Sequence, residues 1–165
     1  MSMNTDLLVR NQQDLPQNAP ARPSDWHPGS LWWDARTVLV TQETEPGRWE
    51  RLRRLVVPVG LGRLAFRLSS WSPEAARMMR DRRVIVQAGD WLGEPAIGSR
   101  EHQGSVQLYG PGQLADTVAE GLRLKYGRRL TMARLGHQLR LGSAPYADLV
   151  AVVTVRENKG LLALP

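Results

Sequence analysis

Arg63-Leu64-Ala65-Phe66-Arg67-Leu68-Ser69-Ser70-Trp71-Ser72-Pro73-Glu74 opens a stretch that continues to Trp91 and reads as strand, turn, short helix and strand. Leu64, Phe66 and Leu68 recur at every second position, the period of a half-buried strand. Ser72 is a favoured N-cap, Pro73 suits the first helical position, and Glu74 complements the positive end of the helix dipole. The helix is expected from Pro73 to about Asp81, followed by the β-branched run Val84-Ile85-Val86-Gln87-Ala88. A strand that ends in hydroxyl side chains and opens a helix is a natural place for an anion, because the first helical N–H groups lack partners.

Outward from that centre, Thr37-Val38-Leu39-Val40-Thr41 is a strand, and Glu45-Pro46-Gly47-Arg48 has Pro and Gly where a type II turn needs them. The return strand, Trp49 to Val57, sets Leu52 and Val56 against Arg51, Arg53 and Leu55. Pro58-Val59-Gly60-Leu61-Gly62 turns the chain into Arg63. On the other side, Gly93-Glu94-Pro95 is a turn, and Ser99 to Tyr109 a fifth strand. Leu114, Val118 and Leu122 form one helical stripe, closed by Lys125-Tyr126-Gly127 with Gly127 as cap. Thr131 to Leu141 suits another helix, and Asp148 to Val155 is the last strand. The expected fold is mainly β (α+β): a six-stranded antiparallel split β-barrel with two or three flanking helices. It occupies residues 35–165, behind an N-terminal arm, residues 1–34. Pro16, Pro20, Pro23 and Pro28 argue against regular structure in that arm, and Trp26, Trp32 and Trp33 suit packing or ligand stacking.

Hydrophobic content of 42% over 165 residues supports one domain with a real core. No apolar run has membrane-spanning length and no leader is evident, so a soluble, cytoplasmic protein without a membrane partner is expected. Absence of cysteine excludes disulfides and thiolate metal sites. The net charge of +6 fits an anionic partner, or an arginine-rich compositional habit, since the arginines are scattered. Charge and the Trp-rich arm are the only features that suit nucleic acid, and no nucleic-acid partner is expected. His27, His102 and His137 share no metal-ligand spacing. No nucleophile elbow, phosphate loop or paired carboxylates occur, so any reaction would fall to a bound cofactor.

The order of these motifs resembles the split β-barrel flavin and deazaflavin reductases related to pyridoxamine 5′-phosphate oxidase, most closely the branch that uses coenzyme F420. The residues that carry the resemblance are Thr37–Thr41, Pro58-Val59, Ser72, Arg80-Asp81-Arg82-Arg83-Val84, Asp90-Trp91-Leu92-Gly93, Gly104-Ser105-Val106 and Leu124-Lys125-Tyr126-Gly127. The resemblance implies a homodimer with cofactor sites at its interface, binding F420 or, alternatively, FMN. Hydride would pass directly between cofactor and a small-molecule substrate, with no obligatory catalytic side chain. By position, Val57, Pro58 and Val59 would contact the ring, and Ser69, Ser70, Ser72 and Arg77 would serve the phosphate.

Two departures bear on that transfer. Glu74 stands where such reductases usually carry Lys, and its carboxylate turns a contact worth about 1–3 kcal/mol into a penalty of similar order. Gly60-Leu61 replaces an aromatic pair. The alternative is therefore a non-catalytic split-barrel binding or interaction protein that has lost phosphate binding and holds no cofactor. Ser72-Pro73-Glu74 is also a sound helix cap with no ligand at all.

Overall fold

The structure is a computed structural model that describes residues 25–127 and 147–156. The expected helix at 131–141, His137 and most of the N-terminal arm lie outside these residues. Among the described residues the order is α1 (Leu31–Asp34), β1 (Thr37–Glu45), β2 (Arg48–Arg54), β3 (Val57–Pro58), β4 (Arg63–Leu68), α2 (Pro73–Arg80), β5 (Arg83–Gly89), β6 (His102–Tyr109), α3 (Gln113–Tyr126) and β7 (Leu149–Val155). All strands join one antiparallel sheet in the order β2-β1-β5-β6-β7-β4-β3.

The β1–β2 hairpin forms as expected, with Gly47 at φ +80° in its turn. The single return strand expected from Trp49 to Val57 is instead two strands, so the described sheet has seven rather than six. Its first part pairs with β1 and its second with β4. These two parts are the outer edges of the sheet, yet only Leu55 and Val56 separate them. Three chain steps span about 10 Å at most. The sheet must therefore curl until its edges nearly meet, and the barrel follows from connectivity alone.

Alternation divides the sheet's faces. Val38, Val40, Val56, Leu64, Phe66, Val86, Val106 and Val153 line the interior and are fully buried. α2 adds Ala75 and Met78 to that interior. Ser72 caps α2 as expected, accepting from the Ala75 N–H at 3.2 Å. α3 lays Val118, Leu122 and Tyr126 over a second cluster on the outer face, with Val57, Ala65, Val150 and Val152.

The Trp-rich segment is not wholly irregular, since Leu31–Asp34 makes one helical turn. Trp32 enters the barrel core and meets the His102 ring edge-on at 6.1 Å. Trp26 stacks on Trp33 at 5.8 Å and covers Gly121 of α3, where an added Cβ would lie 2.5 Å from its ring. All three indoles are packed against the fold.

Candidate functional site

The serines group at one place, the junction between β4 and α2, and each hydroxyl there is already engaged. The Ser72 Oγ donates to the Ser69 carbonyl at 2.7 Å while accepting from the Ala75 N–H. The Ser69 Oγ accepts from the Trp71 N–H at 3.2 Å. Ser70 donates twice to one carboxylate, from its N–H to Asp148 Oδ1 at 2.7 Å and from its hydroxyl to Oδ2 at 2.6 Å. Glu74 lies half-buried in the first turn of α2. Arg77 lies five residues beyond Ser72, about 7.5 Å along the helix axis. Its guanidinium pairs with Glu50 of β2 at 2.9 Å, and its Nε is buried without a partner.

Val57, Pro58 and Val59 lie well away from this junction. Val57 pairs with Ala65 and Pro58 with Leu64, so Ser69 is four strand residues, about 13 Å, beyond the Val57 level. The Val57 side chain is fully buried in the cluster beneath α3. The Pro58 carbonyl accepts from Trp26 Nε1 at 2.9 Å, and the Val59 N–H donates to the Arg63 carbonyl at 3.1 Å. The structure thus brings the three serines together and leaves Arg77 and the 57–59 group apart from them.

Lys125 and Tyr126 take a role that the sequence did not disclose. Where the chain crosses from one sheet edge to the other, Val56 lies outside both strands, and side chains of α3 supply its backbone partners. The Val56 N–H donates to the Tyr126 hydroxyl at 3.0 Å, and its carbonyl accepts from Lys125 Nζ at 2.7 Å. The same ammonium donates to the carbonyls of Trp32 and Ala35 at 2.9 and 2.6 Å, and the Tyr126 hydroxyl donates to that of Arg36 at 2.9 Å. Burial pulls the Lys125 pKa down to about 7, against the opposing pull of Asp34. Burial likewise pushes the Tyr126 phenol upward. Beside this knot Trp33, Arg36, Trp91 and Leu124 border an open cleft of about 350 Å³.

The outer face of β2-β1-β5-β6 is different in character. Arg51, Thr41, Ile85 and Gln103 lie directly opposite one another across four strands, and all remain at least partly exposed. Trp49, about half exposed, is paired with Glu43 on the same face. A cleft of about 320 Å³ opens there, floored by Trp49 and Ile85 and edged by Arg83, Gln103, Ser105 and Arg156. Asp81 grips Arg83 through three hydrogen bonds, which hold the Asp81 carboxyl below its usual range. No cluster of three or more metal-ligating side chains occurs among the described residues, and none of their helices is long and apolar enough to cross a membrane.

No family model and no curated protein sequence matches the chain. Solved structures do. A conserved hypothetical protein of Mycobacterium tuberculosis aligns with 81% of this chain and 83% of its own, at TM-score 0.53 and 15% identity. HutZ, the heme storage protein of Vibrio cholerae, aligns over 76% and 84% at TM-score 0.53 and 10% identity. A proposed 5-nitroimidazole antibiotic resistance protein of Bacteroides thetaiotaomicron aligns over 76% and 75% at TM-score 0.52 and 11% identity. Identities this low speak to architecture alone. With the curled antiparallel sheet, the α2 plug and the outer α3, they show that this chain shares a split β-barrel fold with these proteins.

Proposed function

We propose that this protein is a cytoplasmic, homodimeric oxidoreductase that uses coenzyme F420, or FMN in its place, to pass a hydride to a small organic acceptor. The observation that supports this reading is the open sheet face of β2-β1-β5-β6. A flat conjugated ring has an apolar floor there in Trp49 and Ile85, with arginines at the rim of the same cleft. A second copy laid on this face would supply the opposite wall. The β4–α2 junction does not fit the cofactor phosphate, because its serine groups are engaged and two carboxylates, Asp148 and Glu74, already attend it. Any phosphate would have to be met elsewhere; in the cleft Arg83 is held by Asp81 and Glu43 adds a carboxylate, so Arg156 is the candidate.

Those two carboxylates favour a second reading, a non-catalytic split-barrel binding protein that holds no phosphate-bearing cofactor. Fluorescence titration with F420 and with FMN separates the two. Micromolar binding of either is expected on the first reading. Failure of both to bind the purified protein leaves only the second.

A further inference from the structure

We infer that Asp148 is a built-in anion, which occupies the phosphate-like position at the β4–α2 junction and closes it to phosphate ligands. This deepens the reading above, on which it rests for the kind of ligand excluded. The geometry is that of an oxyanion held by a turn. Two oxygens of one carboxylate receive the backbone N–H and the hydroxyl of Ser70 at 2.7 and 2.6 Å. The chain is bent to deliver it. Ala147, immediately before Asp148, has φ +49°, the left-handed region that a residue with a Cβ rarely adopts. Its carbonyl is fixed by the Arg67 Nε at 3.2 Å.

Charge balance explains why a phosphate would not simply displace the carboxylate. A helix N-terminus offers roughly half a positive charge. Asp148 and Glu74 already bring two negative carboxylates to it. A phosphate added there would face both; of the nearby cations, Arg77 is committed to Glu50, and Arg67 holds the Ala147 carbonyl beside Asp148. The Ser72 hydroxyl offers no relief, since it gives its proton to the Ser69 carbonyl and accepts from the Ala75 N–H, and the Ser69 oxygen is taken up by the Trp71 N–H. Whatever binds this barrel therefore gains nothing from a phosphate group at the junction.

The test uses full-length protein and inorganic phosphate, read by the amide NMR signals of Ser70 and Ser72. Wild type should show no saturable shift at millimolar phosphate. Asp148→Asn combined with Glu74→Lys should show one, whereas Glu74→Lys alone should show little, because Asp148 still fills the turn. Should the double variant fail to fold, Asp148→Ser with Glu74→Lys keeps a neutral acceptor and carries the same test. A second arm compares FMN with riboflavin, which has the ring without the phosphate. Any preference of wild type for FMN over riboflavin should be unchanged in the double variant, because on the reading above the cofactor phosphate meets the cleft and not this junction. Saturable phosphate binding by wild type at Ser70, or a folded double variant that gains none, overturns the inference. Failure of wild type to bind either flavin counts against the flavin reading, and the phosphate arm still decides the role of Asp148.

Discussion

Lys125 is held mainly by backbone, with the Tyr126 ring 4.9 Å from its ammonium. Its ammonium has three N–H bonds and meets three carbonyls, those of Trp32, Ala35 and Val56. Replacement by Met leaves these acceptors without donors, and a loss of about 1–3 kcal/mol is expected in chemical denaturation. The pH dependence has a definite sign. Burial places the folded pKa at about 7, below the ordinary value of 10.5. Between these values the unfolded chain binds a proton that the folded chain does not, so stability rises with pH across that window. The slope from this group is at most about 1.4 kcal/mol per pH unit, and it vanishes below pH 7, where both states are protonated. Denaturation from pH 6 to 10 should show this rise in wild type and lose it in Lys125→Met. An unchanged rise in the variant would mean that another group is responsible.

At the scale of the element, α3 does two jobs. Its apolar stripe covers the outer sheet cluster, and its last residues close the barrel seam at Val56. Trp26 then clamps the helix from outside, and its indole fits only because position 121 has no side chain. Gly121→Ala puts a Cβ 2.5 Å from the ring. Trp26 must move, and its 2.9 Å bond to the Pro58 carbonyl is expected to break. The expected result is a red shift in tryptophan emission and about 1–3 kcal/mol lost, from overpacking in a fitted contact. Normal emission and stability in this variant would show that the clamp is loose. The stripe of α3, the Ser72 cap and the strand alternation were legible in the sequence, because each is a local period or a local hydrogen bond. The division of the return strand was not. Leu55, Val56 and Val57 interrupt the alternation, but only the curl of the whole sheet reveals that pairing changes there. Lys125 and Asp148 were opaque for a related reason. Their partners lie 69 to 93 residues away for Lys125 and 78 for Asp148, so they read locally as a helix end and a strand start.

At the scale of the whole molecule, helices are distributed unevenly. α3 covers the side of β3, β4 and β7, and α2 adds to the interior, while the face of β2-β1-β5-β6 keeps Trp49, Ile85 and several arginines in solvent. A second copy covering this face would account for the exposed indole and complete the walls of the proposed cofactor cleft. Ile85 is the sharpest place to test it, since it lies mid-strand between Thr41 and Gln103 and is only half-buried. Ile85→Glu spares the barrel interior. At an interface it would bury an uncompensated charge, costing about 3–5 kcal/mol, enough to raise the dissociation constant by more than about a hundredfold. Sedimentation should therefore give a dimer for wild type and a monomer for Ile85→Glu, with circular dichroism unchanged. Because the cleft lies on the same face, F420 or FMN affinity should fall with the dimer in parallel. A wild-type monomer would rule out the dimer and a variant that stays dimeric would place the interface elsewhere, and either result would remove the second wall from the cleft. Loss of cofactor binding with the dimer intact would show that Ile85 touches the ring without joining the two copies.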